Sequence, residues 1–111
     1  MFEKLDFSPG KIAYDDFHAD PETPLTDQTD LLKEDMFQVM YDDQYIIDVG
    51  WYPSFSQDGS FQIVIIKDFN WSEPVCKREC RDMAELDGYM KACAEMVKRG
   101  LFDEQHCKAA A

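Results

Sequence analysis

At 111 residues, with 45% apolar and 14% aromatic side chains, the chain has the length of one domain and the composition of a packed, not a disordered, protein. Its 23 Asp and Glu against 11 Lys and Arg leave a formal net charge of −12, a field that disfavours nucleic acid and anionic membrane and draws basic partners. No apolar run approaches the length of a membrane span, and Met1 to Gly10 lacks the basic and apolar regions of a signal peptide, so the expectation is a soluble, cytoplasmic protein.

The charge is unevenly spread: residues 1–70 carry 15 acids and 4 bases, residues 71–111 carry 8 and 7. It is densest from Tyr14 to Asp35, where Asp15, Asp16, Asp20, Glu22, Asp27, Asp30, Glu34 and Asp35 face only Lys33. Such a run is either a solvated loop or a docking surface for a cationic protein, and its self-repulsion costs compactness. Regular signals are few here. Ser8-Pro9-Gly10 reads as a turn, Lys11 to Phe17 as a short strand, and Pro21 and Pro24 as interruptions, with Thr26-Asp27 or Thr29-Asp30 able to cap a helical turn before Leu31 and Leu32. Residues 1–35 are therefore expected to form an acidic, irregular N-terminal segment of a single domain.

From Met36 the pattern has period two. Asp42-Asp43 marks a turn, and a three-residue loop would pair Tyr41 with Tyr45, Val39 with Ile47 and Phe37 with Val49, gathering the apolar side chains on one face. Asp48 is a charge inside an apolar strand, expected on the solvent face unless a specific donor binds it. Pro53 ends that strand. Gln57 to Ser60 is expected to supply the left-handed positions of a reversal into Phe61 to Asp68, a strand apolar enough for the sheet centre. Trp71 and Pro74-Val75 lead an expected edge strand to Cys80. A helix follows from about Asp82 to Arg99, with Asp82 and Glu85 at capping-box spacing, a stripe of Met83, Leu86, Met90, Cys93 and Val97, and Gly100 as the stop.

The predicted fold is α+β: an antiparallel sheet of three to five strands within residues 36–80, a C-terminal helix over 82–100 packed on one face, and a tail over 101–111. Phe37, Val39, Ile47, Val49, Ile63, Ile65, Leu86, Met90 and Val97 are the expected core.

Chemistry is sparse. There is no glycine-rich phosphate loop, no HExxH, no GxSxG and no EF-hand spacing, and His18 and His106 have no evident orienting partner. Cys76, Cys80, Cys93 and Cys107 read as reduced structural thiols. A zinc site built from Cys76, Cys80, His106 and Cys107 is the weaker alternative, because it lacks two tight ligand pairs. Neither a catalytic centre nor a cofactor or metal is expected.

The block from Tyr45 to Pro53, with Asp58-Gly59, the strand from Phe61 to Asp68, Trp71 with Pro74-Val75, and Arg81-Asp82 before the helix, resembles the small bacterial immunity proteins of contact-dependent growth inhibition and related polymorphic toxin systems. The likeness spans Gln44 to Val97. It implies a non-enzymatic bacterial cytoplasmic protein that binds the C-terminal toxin domain of a large secreted effector. Many such toxins are nucleases, whose clefts are basic because they neutralise phosphates. The candidate toxin-binding surface is then Asp15, Asp16, Asp20, Glu22, Asp27 and Asp30, extended by Asp42, Asp43 and Asp58 at the sheet turns. Tyr52 and Phe55 are candidate aromatic anchors, with Trp51 either beside them or in the core. Two other readings stay open: an acidic regulator or nucleic-acid mimic of another basic protein, and a small Cys/His metal-binding protein.

Overall fold

The structure, a computed structural model, describes residue 2 and residues 4–42 and 44–102. Asp43, His106 and Cys107 of the expectations above lie outside the described residues. Five strands, β1 (Lys11–Asp15), β2 (Phe37–Tyr41), β3 (Tyr45–Tyr52), β4 (Ser60–Lys67) and β5 (Cys76–Cys80), pair antiparallel in sequence order, and one helix, α1 (Met83–Lys98), packs on the sheet. The architecture is α+β. Two short 3-10 turns, Leu25–Asp27 and Thr29–Leu31, lie between β1 and β2.

Register follows from burying one face. Tyr41 pairs with Tyr45, Val39 with Ile47 and Phe37 with Val49, and across the next ladder Ile47 meets Ile65, Val49 meets Ile63 and Trp51 meets Phe61. Asp42 turns the chain with φ 50°, a left-handed conformation that Asp tolerates better than most residues. β4 is interior as its apolar sequence requires, although β3 occupies the middle of the sheet.

The inner face is covered twice. α1 lays Met83, Leu86, Met90, Cys93, Ala94 and Val97 against it, its N-terminus capped by the Asp82 carboxylate accepting from the Glu85 amide at 3.0 Å and its end marked by Gly100 at φ 70°. The N-terminal segment covers the rest. Phe2, Phe7, Phe17, Ala19, Leu32 and Met36 are buried, with Phe2 edge-on to Phe17 at 5.3 Å and tilted against Phe37 at 4.8 Å, and Phe17 stacked on Phe61 at 6.0 Å. Residues 1–35 supply β1 and five of the 26 buried apolar residues among those described. Their apolar residues have neither helical nor strand periodicity, so the pattern gives no element signal while the hydrophobic contribution is full.

Two loops differ from expectation. Between β3 and β4 the left-handed residue is Phe55, at φ 63°, and not one of Gln57 to Ser60. Gly59 is needed for another reason: a Cβ there would lie 2.4 Å from Trp51 Nε1 and 2.8 Å from the Tyr52 carbonyl. After β4, Asp68 and Phe69 turn the chain with φ of 54° and 61°, so Trp71 and Pro74-Val75 belong to a loop and the edge strand begins only at Cys76.

All nine residues expected in the core are buried. Replacing Leu86, fully buried under the sheet, with Ala is expected to cost about 2–5 kcal/mol in urea unfolding, the usual range for a large-to-small core change. An unchanged midpoint would contradict the packing of α1.

Candidate functional site: the outer face of the sheet

No described helix or strand packs on the other face. One row across it reads, by register, Tyr14 on β1, Gln38 on β2, Asp48 on β3, Val64 on β4 and Lys77 on β5. Asp48 is on this outer face, as alternation requires, but it is largely covered: it is only 7% exposed, and its Oδ2 is not fully enclosed. The correction has a physical source, because β3 is the middle strand and long neighbours close over a short side chain. The Gln38 Nε2 donates to Asp48 Oδ1 at 2.8 Å. The second oxygen, Oδ2, accepts from no described residue. Burial pushes the Asp48 carboxyl above the usual range; the Gln38 bond opposes this, and the negative charge of Asp35 reinforces it.

The edge of this patch is built by the chain entering β2. The Met36 amide donates to Val49 O at 3.1 Å and the Trp51 amide to Lys33 O at 2.8 Å, and Glu34 and Asp35 lie between these two bonds. The Glu34 carbonyl arches over Gly50, where a Cβ would stand 2.0 Å from it, so only glycine fits. The Tyr52 ring folds back across the same glycine, its Cε2 3.0 Å from that Cβ position, and its hydroxyl donates to Glu34 O at 3.3 Å. Burial raises the Tyr52 hydroxyl above its ordinary value, with Asp48, Glu34 and Asp35 adding to it; Tyr14 is raised by burial and then by Asp16, among others. Carboxylates from three segments therefore converge on two tyrosines.

Compensation is local and incomplete. Lys33 is hydrogen-bonded to Asp16 and holds its carboxyl below the usual range, His18 Nε2 lies 2.8 Å from the same carboxylate, and the Tyr14 hydroxyl donates to it at 3.3 Å. Among the described residues no ion pair reaches Glu34, Asp35 or Asp48.

The other expected site residues are dispersed. Asp15, exposed at the end of β1, accepts from the Phe17 amide at 3.2 Å. Asp20 is a turn residue: its carboxylate accepts from the Glu22 amide at 3.0 Å and the Thr23 hydroxyl at 2.9 Å, which hold its carboxyl below the usual range. Gln28, 5% exposed, locks that turn by donating to the Asp20 and Thr23 carbonyls and accepting from the Asp20 amide. Glu22, Asp27 and Asp30 are exposed on this loop. Asp42 and Asp58 sit at opposite ends of the eight-residue β3, roughly 26 Å apart at the rise of a strand. Of the expected set only Asp16 joins the Tyr14 cluster, whereas Glu34, Asp35, Asp48 and Tyr14 were not in it. The signal that pointed to them was the charge of Asp48 within an apolar strand, two residues before a glycine. Of the aromatic candidates, Trp51 is core, its Nε1 donating to Ser56 O at 2.8 Å, Tyr52 is half-buried, and Phe55 is exposed.

Elsewhere, a groove of about 760 Å³ separates the Pro21 to Thr29 loop from the start of α1, but Lys4 and Arg81 on its walls are matched by Asp82 and Asp87. Among the described residues no three His, Cys, Asp or Glu side chains are grouped to hold a metal. Cys76, Cys80 and Cys93 are unpaired, and no described helix is long and apolar enough to cross a membrane.

Two measurements follow. Burial, assisted by the neighbouring Cys76, pushes the Cys93 thiol up to about 12, so Cys93 should resist a thiol reagent at pH 8 in native protein and react at once in denaturant. Equal rates in both states would contradict its burial. For Asp48 the folded-state pKa is raised, so the ionised carboxylate opposes folding above that pKa and the penalty disappears as pH falls through it towards the unfolded value near about 3.9. Asp48→Asn, which keeps the Gln38 bond, should therefore be more stable than wild type at pH 7 by on the order of 1 kcal/mol in urea unfolding. The difference should shrink on acidification towards about pH 4. A less stable variant at pH 7 would contradict the charge penalty.

A scan against protein-family models matches none, and searches of curated proteins and of solved structures return no similar chain.

Proposed function

We propose that this chain is an immunity protein that binds and neutralises a basic toxin domain, a nuclease foremost, in the bacterial cytoplasm. The observation that carries the proposal is a sheet face covered by no described helix or strand, where Glu34, Asp35 and Asp48 have no ion-pair partner among the described residues and lie beside tyrosines, on a chain of net charge −12. The resemblance of Gln44 to Val97 to immunity proteins supports the same reading. A nuclease cleft attracts phosphate, and an acidic surface competes for it, gains association rate by steering and discriminates against neutral surfaces. The protein acts by occupying its partner, with no bond made or broken.

The test is co-expression with the toxin domain encoded beside the gene. Rescue of growth and a co-purifying complex are expected, with an association rate that falls roughly tenfold or more as ionic strength rises from low to above physiological while dissociation changes less. Neither complex nor rescue would overturn the function.

A further inference from the structure

We propose that Asp48 is the receptor for a guanidinium group projected by the basic partner onto the outer face of the sheet, with Gln38 holding the carboxylate and Tyr14, Tyr52, Glu34 and Asp35 forming its surround. This rests on the binding function proposed above and assigns it a place and a chemistry.

Asp48 is the one charged side chain buried among the described residues, and it lies on the face that no described helix or strand covers, beside the buried pair Ile46 and Ile66. A buried carboxylate is costly unless it is paired, and this one has a single neutral donor on Oδ1 and none on Oδ2. Lys33 is engaged with Asp16, and Lys77, in the Asp48 row two strands away, lies 3.5 Å from Glu79. The free unit therefore carries a largely covered carboxylate whose open oxygen, Oδ2, is available to a cation from outside.

The walls select among cations. A guanidinium is planar, donates in a fork and stacks on aromatic rings, whereas an ammonium is a compact, strongly hydrated charge that is harder to strip of water. The Tyr52 ring lies back over Gly50, along β3 from Asp48, and Tyr14 is in the Asp48 row two strands away. Tyrosines on two sides of a carboxylate suit a flat cation. Glu34 and Asp35, both exposed, add long-range attraction at the edge. A second copy of this chain is the poorer occupant, since two-fold pairing of this face would set carboxylates against carboxylates.

The test has two arms. Titrating hexa-arginine peptide into the free protein should shift the backbone amide signals of Tyr14, Gln38, Asp48 and Tyr52 more than those of Asp27, Asp30 or Asp58, with hexa-lysine weaker and the response lost in Asp48→Asn. Shifts centred on the Asp20 to Asp30 loop, or unchanged in Asp48→Asn, would overturn the assignment. In the second arm, Asp48→Asn should weaken the complex with the toxin domain by about 30-fold or more, chiefly through faster dissociation. The double variant Glu34→Gln, Asp35→Asn should mainly slow association, and Asp58→Asn should change affinity less than about threefold, as expected for an isolated exposed charge. Wild-type affinity in Asp48→Asn would overturn the receptor while leaving the immunity function standing. A positive peptide arm with no toxin complex in wild type would do the reverse.

Discussion

The pairing of Tyr41 with Tyr45 decides which side of every strand meets the helix. Side chains alternate across a sheet, so a slip of one residue at this turn would carry Ile47 and Val49 to the outer face and drive Asp48 into the layer under α1. A carboxylate there would meet an almost wholly apolar cluster, in which the Tyr41 hydroxyl is the one enclosed side-chain polar atom without a partner among the described residues. The register is thus enforced from both sides, by the gain from burying one set of residues and by the penalty of burying the other. Gly50 and the Glu34 carbonyl that crosses it add a steric lock, because only that residue can lie beneath the arch.

With the inner face closed by α1 and the N-terminal phenylalanines, the chain has two surfaces of different character. One is finished and dry. The other is a sheet face whose middle strand carries a charge. Several cations donate to backbone carbonyls: Lys67 to Phe102, Lys98 to Asp6, Arg81 to Gln57 and Arg78 to Lys77. The first three tie loops and termini to the domain.

The N-terminal third shows how charge and packing coexist in one segment. Its described acids lie at the surface while Phe2, Phe7, Phe17 and Leu32 are buried, and Gln28 satisfies the turn that lets the chain alternate between them. An acidic composition there is compatible with a full share of the core because carboxylates and phenyl rings occupy different sides of the same backbone.

What the sequence by itself determined is the local part: the alternation of β2, β3 and β4, the stripe of α1 with its Asp82 cap and Gly100 stop, and the apolar register of the first hairpin. These depend on residues close in the chain, whose spacing is the physical cause of the element. Tertiary structure alone decided that Phe2, Phe7 and Phe17 complete the core, that Asp42 and Asp58 stand at opposite ends of β3, and that Glu34, Asp35 and Asp48 share one neighbourhood with Tyr14 and Tyr52. The charge of Asp48 was visible in the sequence, but its burial was not. Whether a residue on an outer strand face is wet depends on the strands that flank it, and β3 acquires its neighbours on both sides only when the whole sheet has assembled.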